Sequence, residues 1–299
     1  MEYYILILLS VGMFGGGFAL QNLYRKKRGS GFIISMESAL IGSFAGLIVL
    51  LIINGFSFEI TWFTLLMAVC AAVNSIAFTF CTFKSLDYIN LSLFSLFSML
   101  GGMALPFFQG ILFYNEGITL AKCLCVAFIC VALAFTVEKG EKKKGTIFYI
   151  GIFILNGMAG VISKIFSASE LPKTSAAGYS IWIAICTIVL SGIVFAVLTI
   201  LDKRKGVPKD EQEKVSKKSL WQSYGTGALY GAINKVANFL LVIALAHVDV
   251  SVQYPMVTGG TMIVSTILCC FGDKKPNKKE IISVALAFVG MLALFVIPV

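Results

Sequence analysis

Three ionisable side chains lie well inside long apolar stretches of this 299-residue sequence: Glu37, Lys164 and Lys235. An ionised group at the centre of an apolar helix costs about 2.5 to 3.5 kcal/mol on insertion scales, so each calls for a partner, a route to water or a function. Lys164 stands three residues from the end of its stretch, about 4.5 Å of helical rise, and is expected to snorkel to the interface. Lys235 stands fourteen and eleven residues from the two ends of its own, about 16 to 21 Å from either surface, which is too deep to snorkel. It is expected to face a wet cavity. On the same stretch Tyr230, Asn234 and Asn238 recur at i, i+4 and i+8, with Lys235 beside them and Gly231 one turn earlier. That spacing puts the polar groups on one helix face. Such a strip can also bond helices together, but that role needs no charge, and the lysine favours a lined pathway. An ammonium, amides and phenols suit an amino acid, another carboxylate or a polar metabolite with an anionic group.

Other stretches add polar groups to the same reading: Asn74, the approximate counterpart of Lys235, with Gln21, Asn22 and Asn156, and Gln253, Tyr254 and Thr258 beside a proline. Glu37 is the coupling candidate if its carboxyl exchanges a proton, and otherwise a counter-ion for Lys235 or a snorkelling residue without a role. A bare lipophilic cation is disfavoured, because its transport would want a buried carboxylate and Glu37 is the only candidate. His247 and Asp249 fall in a connection between stretches. Cys123 and Cys125, and the pair Cys269 and Cys270, lack the CxxC spacing of zinc sites, and no metal and no cofactor are expected.

The elements that must position these residues are hydrophobic throughout. The chain is 58% hydrophobic and 13% charged, with a mean hydropathy of +0.91, a composition that excludes a soluble globule. Apolar runs cover 3–24, 32–53, 62–83, 91–113, 121–137, 146–167, 178–200, 221–246, 252–271 and 281–297. Each is close to the roughly 20 residues that cross a bilayer. None shows period-2 alternation, so they read as helices rather than barrel strands. The first has no basic segment before it and no small-residue cleavage pattern, and reads as a spanning helix rather than a signal peptide.

Net charge of +9 does not imply a nucleic-acid partner here. Twenty of the 24 Lys and Arg lie in the odd-numbered connections, and the even ones carry only Lys122 and Lys173. By the positive-inside rule the odd connections are cytoplasmic and both termini lie outside, as expected of a multi-pass protein of the cell membrane.

The chain also reads as two halves: a first five-helix unit at 1–137, a charged linker at 138–145 and a second unit at 146–299. Gly12-Met13 with Gly15 returns as Gly157-Met158 with Gly160, and a shift of 159 places Gly101 on Gly260. Five helices per half make the second unit inverted, the architecture of many secondary transporters. The fourth and ninth runs each hold a glycine pair and a proline: Gly101, Gly102 and Pro106, and Gly259, Gly260 and Pro255. Matching interrupted helices are expected to flank a midplane binding site. The fold class expected is therefore all-α and integral to the membrane, ten transmembrane helices in a 5+5 inverted repeat.

The segment "CTFKSLDYINLSLFSLFSMLGG" running into "FYNEGITLAKCLCVAFICVALAF" resembles one unit of the drug/metabolite transporter superfamily, EamA-like branch, and "IALAHVDVSVQYPMVTGGTMIVSTIL" with "FGDKKPNKKEIISVALAFVGMLALF" repeats it. Asn115-Glu116 and Gly272-Asp273 stand where the family has a Gly-Glu step. The resemblance implies a ten-helix basket around a cavity lined by the first, third, fourth, sixth, eighth and ninth runs, moving a small metabolite by alternating access, as an exporter. Two departures bear on substrate and direction: Glu37 stands where the family often has a basic residue, and the charge count places the termini opposite to the usual drawing. The expected partners are a small-molecule substrate and the lipid bilayer. Among rivals, a multidrug exporter would share this fold. A membrane enzyme acting on lipid or isoprenoid groups needs clustered acids, bases or metal ligands, for which one histidine and few loop acids are poor material. No GxxxxGK[ST] loop is present, so the chain does not itself spend ATP.

Overall fold

The computed structural model of the chain describes residues 2–56, 59–113, 119–121, 123–124, 127–128, 131, 145–204, 217–244, 247–248, 250–272 and 275–296. The linker at 138–144, most of the fifth run, the basic segment 205–216, Asn115-Glu116, Asp249 and Asp273 lie outside these. Among the described residues there are nine helices and no strand: α1 (Glu2–Arg28), α2 (Phe32–Ile53), α3 (Trp62–Tyr88), α4 (Leu91–Phe113), α5 (Thr146–Ala168), α6 (Ala176–Arg204), α7 (Lys217–Ala244), α8 (Val250–Cys270) and α9 (Lys278–Val296). The described positions between 120 and 131 are helical too and fall in the fifth run. Helices α1 to α7 contain spans long and apolar enough to cross a membrane, which is the make-up of a multi-pass helical membrane protein.

The helices outrun the apolar stretches at their polar ends. α1 continues through Arg25 to Arg28, where four cations meet the negative end of the helix dipole. It stops at Gly29, whose φ of +100° only glycine adopts without strain. α3 begins at Thr61, whose hydroxyl accepts from the Thr64 amide at 3.3 Å. Asn90 caps α4 by accepting from the Leu93 amide at 2.9 Å. Asn277 and Glu280 open α9 as a reciprocal pair, the Glu280 amide donating to Asn277 Oδ1 at 2.8 Å and the Asn277 amide to Glu280 Oε2 at 3.1 Å.

Outward faces are apolar. Ile5, Leu8 and Leu9 on α1, and Val189, Ile193 and Val197 on α6, are about half exposed, as lipid-facing positions must be where the solvent is hydrocarbon. The interior holds hydroxyls instead: Ser92, Ser95 and Ser98 of α4 are fully buried. Ser95 donates to the Ser92 carbonyl at 2.8 Å, and the Ser92 hydroxyl shares a hydrogen bond with the Thr266 hydroxyl at 3.1 Å.

Glycines set which helices meet. α1 packs on α7 and α8, α5 on α3 and α4, α2 on α6 and α7, α3 on α6, and α4 on α8. At the α2–α7 crossing a Cβ built on Gly231 would stand 2.0 Å from Gly42 Cα, and one on Gly42 would stand 3.2 Å from Gly231 Cα. Backbone meets backbone there, the close approach that small residues permit in membranes. At the α4–α5 crossing a Cβ on Gly101 would stand 2.0 Å from the Phe153 carbonyl oxygen.

The expected interruption of the fourth and ninth runs does not occur. α4 is helical from Leu91 to Phe113 with Pro106 inside it, and α8 is helical from Val250 to Cys270 through Pro255, Gly259 and Gly260. Each proline removes a single hydrogen bond, which a long packed helix absorbs. The glycines serve packing: Gly101 on Phe153, Gly102 on Asn156, and Gly260 on Val11.

Candidate functional site

A cavity of about 220 Å³ opens between α1, α3, α4, α5, α6, α7 and α8. All eight residues proposed from sequence as substrate-binding line it: Asn74, Asn156, Tyr230, Asn234, Lys235, Asn238, Gln253 and Tyr254. Its lining positions lie near the middle of α1, α3 and α4, in the middle and second half of α5 and α7, and in the first turns of α6 and α8.

Lys235 reaches it because of the α2–α7 crossing. One turn beyond Gly231, its stem lies over Gly46 of α2, where an added Cβ would stand 2.4 Å from Lys235 Cγ. The methylenes cover helix surface while the ammonium enters the polar space. Among the described lining residues it is the only formally charged side chain.

The amides are anchored by backbone. Asn74 donates to the Leu155 carbonyl at 2.9 Å, Asn156 to the Ser98 carbonyl at 2.6 Å and Gln253 to the Leu241 carbonyl at 2.9 Å. A carbonyl can only accept, so each contact fixes which end of the amide is the nitrogen and leaves the amide oxygen to accept. Asn238 donates to the Asn234 carbonyl and side-chain oxygens at 2.8 and 3.1 Å. The Tyr254 hydroxyl donates to the Gly160 carbonyl at 3.3 Å, and the Tyr230 ring lies 3.6 Å from where a Cβ of Gly17 would be.

Sequence reasoning missed the contribution of α6. Tyr179, Ser180 and Ile183 line the cavity, yet a tyrosine at the start of a spanning run reads as an interfacial anchor. Ser75 and Thr79 on α3 and Ser163 on α5 were also missed; hydroxyls that can bond their own helix carry little signal. Thr258 lines it as well, while Gln21 is buried outside it and Asn22 accepts from Arg25 at 3.1 Å.

The two other intramembrane charges lie elsewhere. Glu37 is not a counter-ion of Lys235: both its oxygens accept from Arg28, at 2.9 and 2.7 Å, at the end of the bundle that carries the basic connections. The Arg28 guanidinium also stands 5.7 Å from the centre of the Tyr224 ring. Arg25 pairs with Asp87 at 2.6 Å, and Asn90 donates to Glu280 at 2.5 Å, at the same end. Lys164 is buried, at 7% exposure, rather than snorkelled out. His247 stacks on Tyr3 with ring centroids 4.1 Å apart, outside the cavity lining.

The Arg28–Glu37 pair is largely withdrawn from water, with side-chain exposures of 20% and 10%. Removing one partner leaves the other charge partly desolvated, so Glu37→Gln should lower stability by about 1 to 3 kcal/mol. Thermal unfolding of the purified protein reads this. A Glu37→Gln midpoint equal to that of the native chain would show the pair to be a bystander.

No family model matches the sequence, and no curated protein matches it. A crystal structure of a protein has the same fold at a TM-score of 0.61, with 15% identity over 97% of this chain and 99% of that chain. At that identity the likeness concerns the fold alone.

Proposed function

We propose that the chain is a secondary transporter of a small polar metabolite, an amino acid or other carboxylate-bearing compound, working by alternating access. One observation carries this reading: polar residues scattered across α3, α5, α7 and α8 converge with one lysine on a single cavity in an otherwise apolar bundle. Soluble ligand pockets run to roughly 300–1,000 Å³, so the cavity suits a ligand at the small end. The lining offers hydrogen bonding and one charge, and among its described residues neither a nucleophile–base pair nor paired acids for catalysis.

The EamA-like architecture is part of the proposal, with the fifth run as a tenth helix and the two halves as an inverted repeat. Exchanging α1 with α5, α2 with α6, α3 with α7 and α4 with α8 turns each principal helix contact into another that also occurs: α1–α7 becomes α3–α5, α1–α8 becomes α4–α5, and α2–α7 becomes α3–α6. The α2–α6 and α4–α8 contacts map onto themselves. A pseudo-two-fold axis in the membrane plane has this consequence, and it supports two related halves that meet around the site. With the basic connections cytoplasmic, the pairs Arg25–Asp87 and Arg28–Glu37 lie on the inner side of the cavity. Export is the direction the family resemblance suggests. Glu37 remains the candidate for proton coupling, through its exchange between Arg28 and a proton.

Reconstitution into liposomes tests the reading. Labelled amino acids and organic anions should enter with saturable kinetics, absent from protein-free vesicles, and a pH gradient should change the rate if protons are coupled. The absence of saturable flux for every compound in the panel, with correctly inserted protein, would sink it.

A further inference from the structure

Resting on that transporter reading, we infer that the site is built for a small organic monoanion carrying a hydroxyl, such as a 2-hydroxy acid, rather than for a zwitterionic amino acid. The argument is one of charge matching. Lys235 is the only formally charged side chain among the described residues of the lining, and Glu37, the nearest carboxylate in sequence reasoning, is held by two contacts from Arg28 at the far end. A hydroxy acid placed against Lys235 brings the occupied cavity to neutrality. An amino acid brings a carboxylate and an ammonium together, and leaves one positive charge in a low-dielectric space with no carboxylate of the described lining to meet it.

The neutral groups agree with this assignment. Asn74 and Asn156 each spend an amide N–H on a backbone carbonyl of a neighbouring helix, and keep an oxygen that can accept. Such oxygens take a hydroxyl proton well, whereas an ammonium withdrawn from water needs several acceptors and a counter-charge. α4 and α8 run on as helices beside the cavity, so the backbone adds only the carbonyl that Pro106 leaves without an N–H donor, that of Gly102, and no counter-charge. The Asn234 side chain marks where a counter-charge is missing. Its oxygen already accepts from Asn238 at 3.1 Å, so an aspartate there would keep that bond and add a negative charge.

The experiment compares isosteric pairs in proteoliposomes: glycolate against glycine, lactate against alanine, and phenyllactate against phenylalanine, for the native chain and for Asn234→Asp. In the native protein the hydroxy acid of at least one pair should be carried at least about tenfold better, by kcat/KM, than its amino counterpart, the size of effect an unmatched charge has at a partly desolvated site. Asn234→Asp should shift that ratio toward the amino acid by about tenfold or more. Amino acids carried as well as or better than their hydroxy partners overturn the inference and leave the transporter reading standing. Flux of uncharged or cationic compounds alone does the same. A ratio unmoved by Asn234→Asp in correctly inserted protein also overturns it. No saturable flux of any compound removes both readings together.

Discussion

Gly231→Leu should abolish the folded protein, whereas Gly225→Leu, on the same helix less than two turns away, should be tolerated. The contrast isolates contact from helix propensity, because both changes replace glycine with the same better helix former. At Gly231 the new Cβ would stand 2.0 Å from Gly42 Cα and 2.1 Å from the Gly42 carbonyl oxygen, and those are backbone atoms with no rotamer into which to retreat. At Gly225 nothing lies within 4 Å. Overpacking a core ordinarily costs about 1 to 3 kcal/mol, and forcing two helix backbones apart belongs above that range. The readouts are recovery of monodisperse protein and its thermal midpoint. Comparable behaviour of the two variants would mean that α2 and α7 do not meet as described.

The same crossing explains what could and could not be foreseen from residue order. Helix positions followed from the length of the apolar runs, because hydrocarbon leaves a backbone few alternatives. Lys235 and the strip at 230, 234 and 238 were legible because a charge at mid-helix is costly and a period of four marks one face. Asn74 and Asn156 were legible for a similar reason, as amides deep in apolar runs, and Gln253 and Tyr254 as polar groups beside Pro255. Helix contacts were less legible. Gly42, Gly46 and Gly227 lie in runs where glycine is common, and only a neighbouring backbone distinguishes a contact glycine from an idle one such as Gly12 or Gly16. The glycine–proline signals in α4 and α8 were read as breaks, whereas both helices continue through them, and Gly101, Gly102, Pro106 and Gly260 meet neighbouring helices there. Arg28 was not foreseen as the partner of Glu37, because it stands in the basic cluster, which sequence reading assigned wholly to topology. Tyr179 was not foreseen as a lining residue, because depth along α6 does not reveal which helices cover its first turn.

Lys235→Met should reduce saturable flux by about 100-fold or more, while the protein still folds. Losing a charge-assisted contact to an anionic ligand is worth roughly 1.5 to 3 kcal/mol, and a neutral side chain also leaves the bound anion without its counter-charge. Methionine keeps most of the stem that lies over Gly46, so the packing at the α2–α7 crossing survives the change. Lys235→Arg should retain part of the flux, since the charge stays and only its shape differs. A change that never touches the lysine makes the argument independent of its chemistry. In Gly46→Ala the new methyl would stand 2.4 Å from Lys235 Cγ, 2.9 Å from its Cβ and 3.1 Å from the Gly231 carbonyl oxygen, at the near end of the side chain where a rotamer change gives little relief. The lysine stem and the α2–α7 crossing must then shift together, so Gly46→Ala should raise KM severalfold and lower stability by about 1 to 3 kcal/mol. Native flux in Lys235→Met would remove the lysine from the site while leaving the cavity. Native KM in Gly46→Ala beside a dead Lys235→Met would mean that the charge matters but its seat on α2 does not.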